Sequence, residues 1–86
     1  MQRDLAEVEQ LEIAVDSGEA NLPRLISRLP NIVSLSLTGS VLRGIRDLGT
    51  SARQLRSLWI GSCGLTSLDG ITSFPYLEEL YASDNR

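Results

Sequence analysis

Chemistry in a protein chain needs particular side chains within reach of one another, and this sequence holds few of them. It has one thiol, Cys63, and neither histidine nor lysine. A cysteine nucleophile wants a neighbouring base, and the residue that most often takes a proton near neutral pH is missing. A structural zinc site has too few Cys and His ligands. A Walker-type phosphate loop has no lysine to complete it. Asp47 and Asp69 suggest a carboxylate pair, but their spacing sets them on descending loops of separate units, and Asp69 before Gly70 is a turn former. The expectation is a protein that is not an enzyme, with no catalytic, metal or cofactor site. Recognition remains, and its best carriers are Trp59 and Tyr81.

Those two rings stand at matching places in a recurring pattern. Ile32-x-x-Leu35-x-Leu37, Leu55-x-x-Leu58-x-Ile60 and Leu77-x-x-Leu80-x-Ala82 follow one another at 23 and 22 residues, with a fainter Val8-x-x-Leu11-x-Ile13 lying 24 residues upstream. The period falls within the ~20–29 residues of a leucine-rich repeat. Such a unit cannot bury its apolar face alone and stacks on copies of itself. The pattern predicts an α/β leucine-rich-repeat solenoid. Short parallel strands should line the concave face, and short helices or 3₁₀ turns the convex face, in about four repeats with the last incomplete. One array spans 1–86: a flank over 1–7, units over 8–31, 32–54 and 55–76, and a partial unit over 77–86.

The outer segments differ between units. The first reads as a helix with Asn21 as N-cap, Pro23 in the first turn, and Leu22, Leu25, Ile26 and Leu29 on one face. The third spaces Leu68, Ile71 and Phe74 by three, which suits a 3₁₀ turn. Pro30 and Pro75 each hand the chain to the following strand. Nothing after Ala82 covers the apolar side of the fourth unit, so the sequence reads as a piece of a longer array.

Alternate strand residues point away from the core, which gives three concave rows. The central row is Glu12, Ser36, Trp59 and Tyr81, flanked by Gln10, Ser34, Ser57, Glu79 and by Ala14, Thr38, Gly61, Ser83. Trp59 and Tyr81 therefore fall on adjacent strands, about 5 Å apart. Exposed aromatics rimmed by Ser36, Ser57, Ser83, Glu12 and Glu79 have the composition of a protein-binding hot spot. The other reading is that the rings merely stack on each other across strands. Asp16, Ser40, Cys63 and Asn85 occupy the repeat's Asn/Cys slot, where short polar side chains satisfy turn backbone groups.

Composition narrows the partner. Net charge is −3, unevenly spread. Residues 1–20 carry one Arg against six acids, residues 21–56 six Arg against Asp47 alone, and residues 57–86 one Arg against four acids. The basic middle, including Arg43, Arg46, Arg53 and Arg56, reads as solvated loop arginines, since an acidic chain without lysine makes a poor phosphate binder. Neither nucleic acid, a small-molecule substrate nor a membrane is the expected partner. The charged N-terminus lacks the apolar run of a signal peptide, and no stretch approaches the ~18 apolar residues of a membrane span. A lone cysteine suits a reducing compartment.

Several strings are more specific than leucine spacing: Leu29-Pro30-Asn31, Asp47-Leu48-Gly49-Thr50-Ser51, Leu58-Trp59, Cys63-Gly64-Leu65, Leu68-Asp69-Gly70-Ile71 and Glu79-Leu80-Tyr81-Ala82-Ser83. Over roughly residues 11–86 the chain resembles the repeat region of the leucine-rich repeat-containing protein 56 family. The resemblance implies a cytoplasmic scaffold, found at the cilium or flagellum, that helps assemble or transport axonemal outer-arm dynein. Its partners would be outer-arm dynein or intraflagellar transport components. The third unit is also similar to Sds22-like repeats, which implies the alternative of a protein phosphatase regulatory protein.

Overall fold

Three-residue strands bury little on their own, so the apolar residues flanking them must close against an outer segment and against the same residues of the next unit. The computed structural model describes residues 7–85; residues 1–6 of the expected flank over 1–7, and Arg86, lie outside the described residues. Strands β1 (Gln10–Glu12), β2 (Ser34–Ser36), β3 (Ser57–Trp59) and β4 (Glu79–Tyr81) form one sheet in chain order. All three pairings are parallel, and their register sets Leu11, Leu35, Leu58 and Leu80 in a single row. Parallel neighbours need a crossover of a dozen or more residues. Here the crossovers carry helix α1 (Leu22–Ser27) and two 3₁₀ turns, Ile45–Leu48 and Ile71–Ser73. The result is a small α/β unit of 41 × 27 × 18 Å, consistent with a leucine-rich-repeat-like fold.

The core is one layer thick, lying between the sheet and the outer segments. Ile32, Leu35, Leu37, Leu55, Leu58 and Ile60 from the strand side meet Leu22, Ile26, Leu29, Ile45, Leu48, Ala52 and Phe74 from the outer side, all buried. Their counterparts in the outer units, Val8, Leu11, Ile13, Leu77, Leu80 and Ala82, are partly buried. Strands β2, β3 and β4 are entered through the same turn, in which the amides of Ile32, Leu55 and Leu77 donate to the carbonyls of Leu29, Ala52 and Phe74.

Helix α1 starts as its sequence dictates. The Asn21 side chain accepts from the Arg24 amide at 3.1 Å, and Pro23 occupies the first turn, where a missing N–H costs nothing. Leu25 departs from the expected face. It is 37% exposed while Leu22 and Ile26 are buried, because it lies about 100° round the axis from Ile26 and the stripe is only that narrow. Leu68 departs likewise and is 45% exposed. The 3₁₀ turn begins only at Ile71, after a turn in which the Asp69 amide donates to Ser67 Oγ and Gly70 is left-handed. Asp47, expected on a loop, sits inside the 3₁₀ turn Ile45–Leu48.

Two backbone devices join the units. Gly39, Ser62 and Asp84 hold equivalent places after β2, β3 and β4, and all have positive φ, of 81°, 55° and 59°. Gly49 has φ 80° and ψ −165°, a region open essentially to glycine alone. A Cβ there would lie 2.9 Å from Pro23 Cβ. Glycine thus lets the second unit's outer segment press against α1 of the first.

Candidate functional site

The face of the sheet turned away from the core is built from the residues between the buried ones. Strand register places Glu12, Ser36, Trp59 and Tyr81 in one row, and Gln10, Ser34, Ser57 and Glu79 in the row beside it. The Trp59 and Tyr81 rings stack with centroids 5.0 Å apart and planes 10° from parallel. Tyr81 is 46% exposed, and Trp59 is half-buried. Tyr81 Oη donates to Glu79 Oε2 at 2.7 Å, and Ser57 Oγ donates to Glu79 Oε1 at 3.3 Å. The carboxylate that holds the phenol, first by that hydrogen bond and then by its charge, pushes the Tyr81 hydroxyl above its ordinary value. It therefore stays protonated as a donor across the neutral range.

Structure brings some of the expected recognition residues together and leaves others apart. Ser57, Trp59, Glu79 and Tyr81 form one connected group. Ser36 neighbours Trp59 in the row, and its hydroxyl donates to Thr38 Oγ1 at 3.4 Å. Ser83 lies further along, where its carbonyl would meet a Cβ on Gly61 at 3.3 Å. Glu12 stands two strands from Trp59. Between them opens a depression of ≈ 470 Å³ lined by Gln10, Leu11, Glu12, Ser34, Ser36 and Trp59. Across these rows the face carries two carboxylates, Glu12 and Glu79, and no cation.

Three of the four turn-slot residues bind backwards, onto the unit before their own. Ser40 Oγ accepts from the Val15 amide at 2.9 Å. Cys63 Sγ donates to the Leu37 carbonyl at 3.1 Å. Asn85 Oδ1 accepts from the Cys63 and Leu65 amides, and its Nδ2 donates to the Ile60 and Ala82 carbonyls. Asp16 differs: its carboxylate accepts from the Gly18 amide of its own turn, while its backbone bridges Val41. Burial pushes the Cys63 thiol up, against the opposing pull of the Ser40 and Gly39 amides. A buried, protonated thiol is a packing residue and not a nucleophile.

Asp47 holds the first two units together, a role that sequence reasoning missed. Its Oδ2 accepts from Ser17 Oγ at 2.6 Å and from the Arg43 amide at 2.9 Å. Burial raises its pKa, but the Ser17 hydroxyl, the Arg43 amide and the Arg43 charge outweigh it and hold the carboxyl below its ordinary value. A link spanning 30 residues leaves no local mark in a sequence. The left-handed Ser62 and Asp84 were also missed; only their alignment with Gly39 signals them. Among the described residues no three His, Cys, Asp or Glu side chains converge as a metal site would need. No helix among them is long and apolar enough to cross a membrane.

Comparison with known proteins gives a consistent set of relatives. The chain is 51% identical over 82 residues to the human protein called leucine-rich repeat-containing protein 56. It is 49% identical to the mouse protein of that name, and 40% identical over 84 residues to the homolog from Trypanosoma brucei brucei. Each alignment covers 95% of this chain, but 15% of the two mammalian relatives and 11% of the trypanosome one. The chain thus spans a small part of the length of these relatives. No protein-family model matches it, and no solved structure matches it significantly.

Proposed function

We propose that this chain, homologous over nearly its whole length to a segment of leucine-rich repeat-containing protein 56, is a repeat solenoid that binds a protein partner through the concave face of its sheet and performs no chemistry. The observation that carries the reading is the Trp59–Tyr81 stack on the open face. Aromatic rings are the residues most enriched where binding energy concentrates. Here they are already stacked on each other, with the Tyr81 hydroxyl bonded to Glu79, which lowers the side-chain entropy to be lost on binding. Glu79 and Ser36 form the polar rim, and Ser57, itself buried, holds the Glu79 carboxylate from below.

The wider role follows from the family resemblance: the module serves an adaptor that delivers or assembles axonemal outer-arm dynein, in the cytoplasm and at the cilium or flagellum. Its test is recovery of partners from extracts of ciliated cells, comparing the wild-type chain with one carrying Trp59→Ala and Tyr81→Ala. Outer-arm dynein or intraflagellar transport subunits should be captured by the wild type and lost with the double variant, whose circular dichroism stays native. Capture by both proteins alike would remove the concave face as the site. Recovery of a protein phosphatase from unciliated cells would favour the Sds22-like alternative.

A further inference from the structure

The arrangement around Trp59 specifies more than a protein surface in general. An indole has two faces, and Tyr81 on β4 covers one of them in near-parallel stacking. β2 lies on the opposite side of β3 from β4, so the uncovered face of Trp59 looks across β2. The row residue there is Ser36, and beyond it stands Glu12 on β1. The ≈ 470 Å³ depression therefore has an aromatic wall, a low floor containing Ser34 and Ser36, and a far wall bearing the Glu12 carboxylate and the Gln10 amide. Two strand spacings, about 10 Å, separate the walls.

We propose that this depression takes an arginine side chain of the protein partner, a refinement that rests on reading the face as a protein-binding surface. A guanidinium is planar and charged, so its face stacks on the free indole while the Glu12 carboxylate across the depression complements its charge. The Ser34 and Ser36 hydroxyls of the floor can accept from its N–H edge. Lysine fits less well, because an ammonium is a compact, strongly hydrated point charge that cannot stack. An aliphatic side chain would desolvate Glu12 without pairing it. An acidic or phosphate-bearing ligand meets two carboxylates and no cation in these rows.

Trp59 is the only tryptophan in the chain, so its fluorescence reads the site directly. The probe is a short Gly/Ser peptide containing one arginine, compared with the same peptide carrying lysine or citrulline. The arginine peptide should change Trp59 emission saturably and bind about tenfold tighter than the lysine peptide, a ratio in keeping with cation–π and charge-assisted contacts. Citrulline, which keeps the shape without the charge, should not saturate. Glu12→Gln should weaken the arginine peptide about tenfold with the circular dichroism spectrum unchanged, since Glu12 is exposed. Equal binding of citrulline and arginine, or no saturation by arginine at millimolar peptide, overturns the proposal. If arginine peptides fail while the double aromatic variant still loses its partner, the arginine assignment falls alone. If the double variant keeps its partner, the protein-binding reading falls as well.

Discussion

Cys63 shows how a residue type can point to chemistry that its surroundings forbid. The thiol is 1% exposed, donates to the Leu37 carbonyl, and is raised in pKa by burial. In the folded chain a soluble disulfide reagent should modify it at least about a hundredfold more slowly than in denaturant, with the rate set by opening of the structure. A fast reaction under native conditions would mean the second and third units separate readily. The inert reading was legible in the sequence, where cysteine stands in the repeat's polar slot and no base accompanies it. The direction of its hydrogen bond was not, because the slot pattern specifies a polar atom without saying which turn it serves. Trp59 and Tyr81 were legible for a different reason. A strand period of two and a repeat of 22 residues fix which residues lie side by side, whatever their type.

At the scale of elements, the sheet and the outer segments follow the sequence closely, while the junctions do not. Repeat spacing marks where strands begin, and Asn21 with Pro23 marks where α1 begins. Leu25 was misplaced because a one-layer core accepts a narrower stripe than apolar spacing suggests, and Leu68 because it precedes the 3₁₀ turn that its spacing suggested it would join. The Gly49 junction depends on a backbone angle and on Pro23, 26 positions away, so no local window reveals it. Gly49→Ala should destabilise the fold by about 2 kcal/mol or more, combining an unfavourable backbone conformation with a close approach to Pro23. Chemical denaturation checks this. A loss of a few tenths would show that the two outer segments part without cost.

The whole molecule is elongated, 41 × 27 × 18 Å, with its four strands paired in chain order, so the junctions between successive strands and outer segments contribute to its stability. Asp47 reports on one junction. Its folded-state pKa lies below the ordinary 3.8, so its contribution is present above that value and is lost as pH falls through the lower, folded-state pKa. Stability should decline below about pH 4 with a component that Asp47→Asn removes. Denaturation midpoints measured down the acid range test it, and an identical acid limb in the variant would assign the loss to other carboxylates.

The backward reach of the turn slots also gives the stack a direction in time. Ser40 completes a turn of the first unit, Cys63 one of the second, and Asn85 one of the third. A ribosome releases the chain from its N-terminus, so each of these three turns emerges before the side chain that completes it.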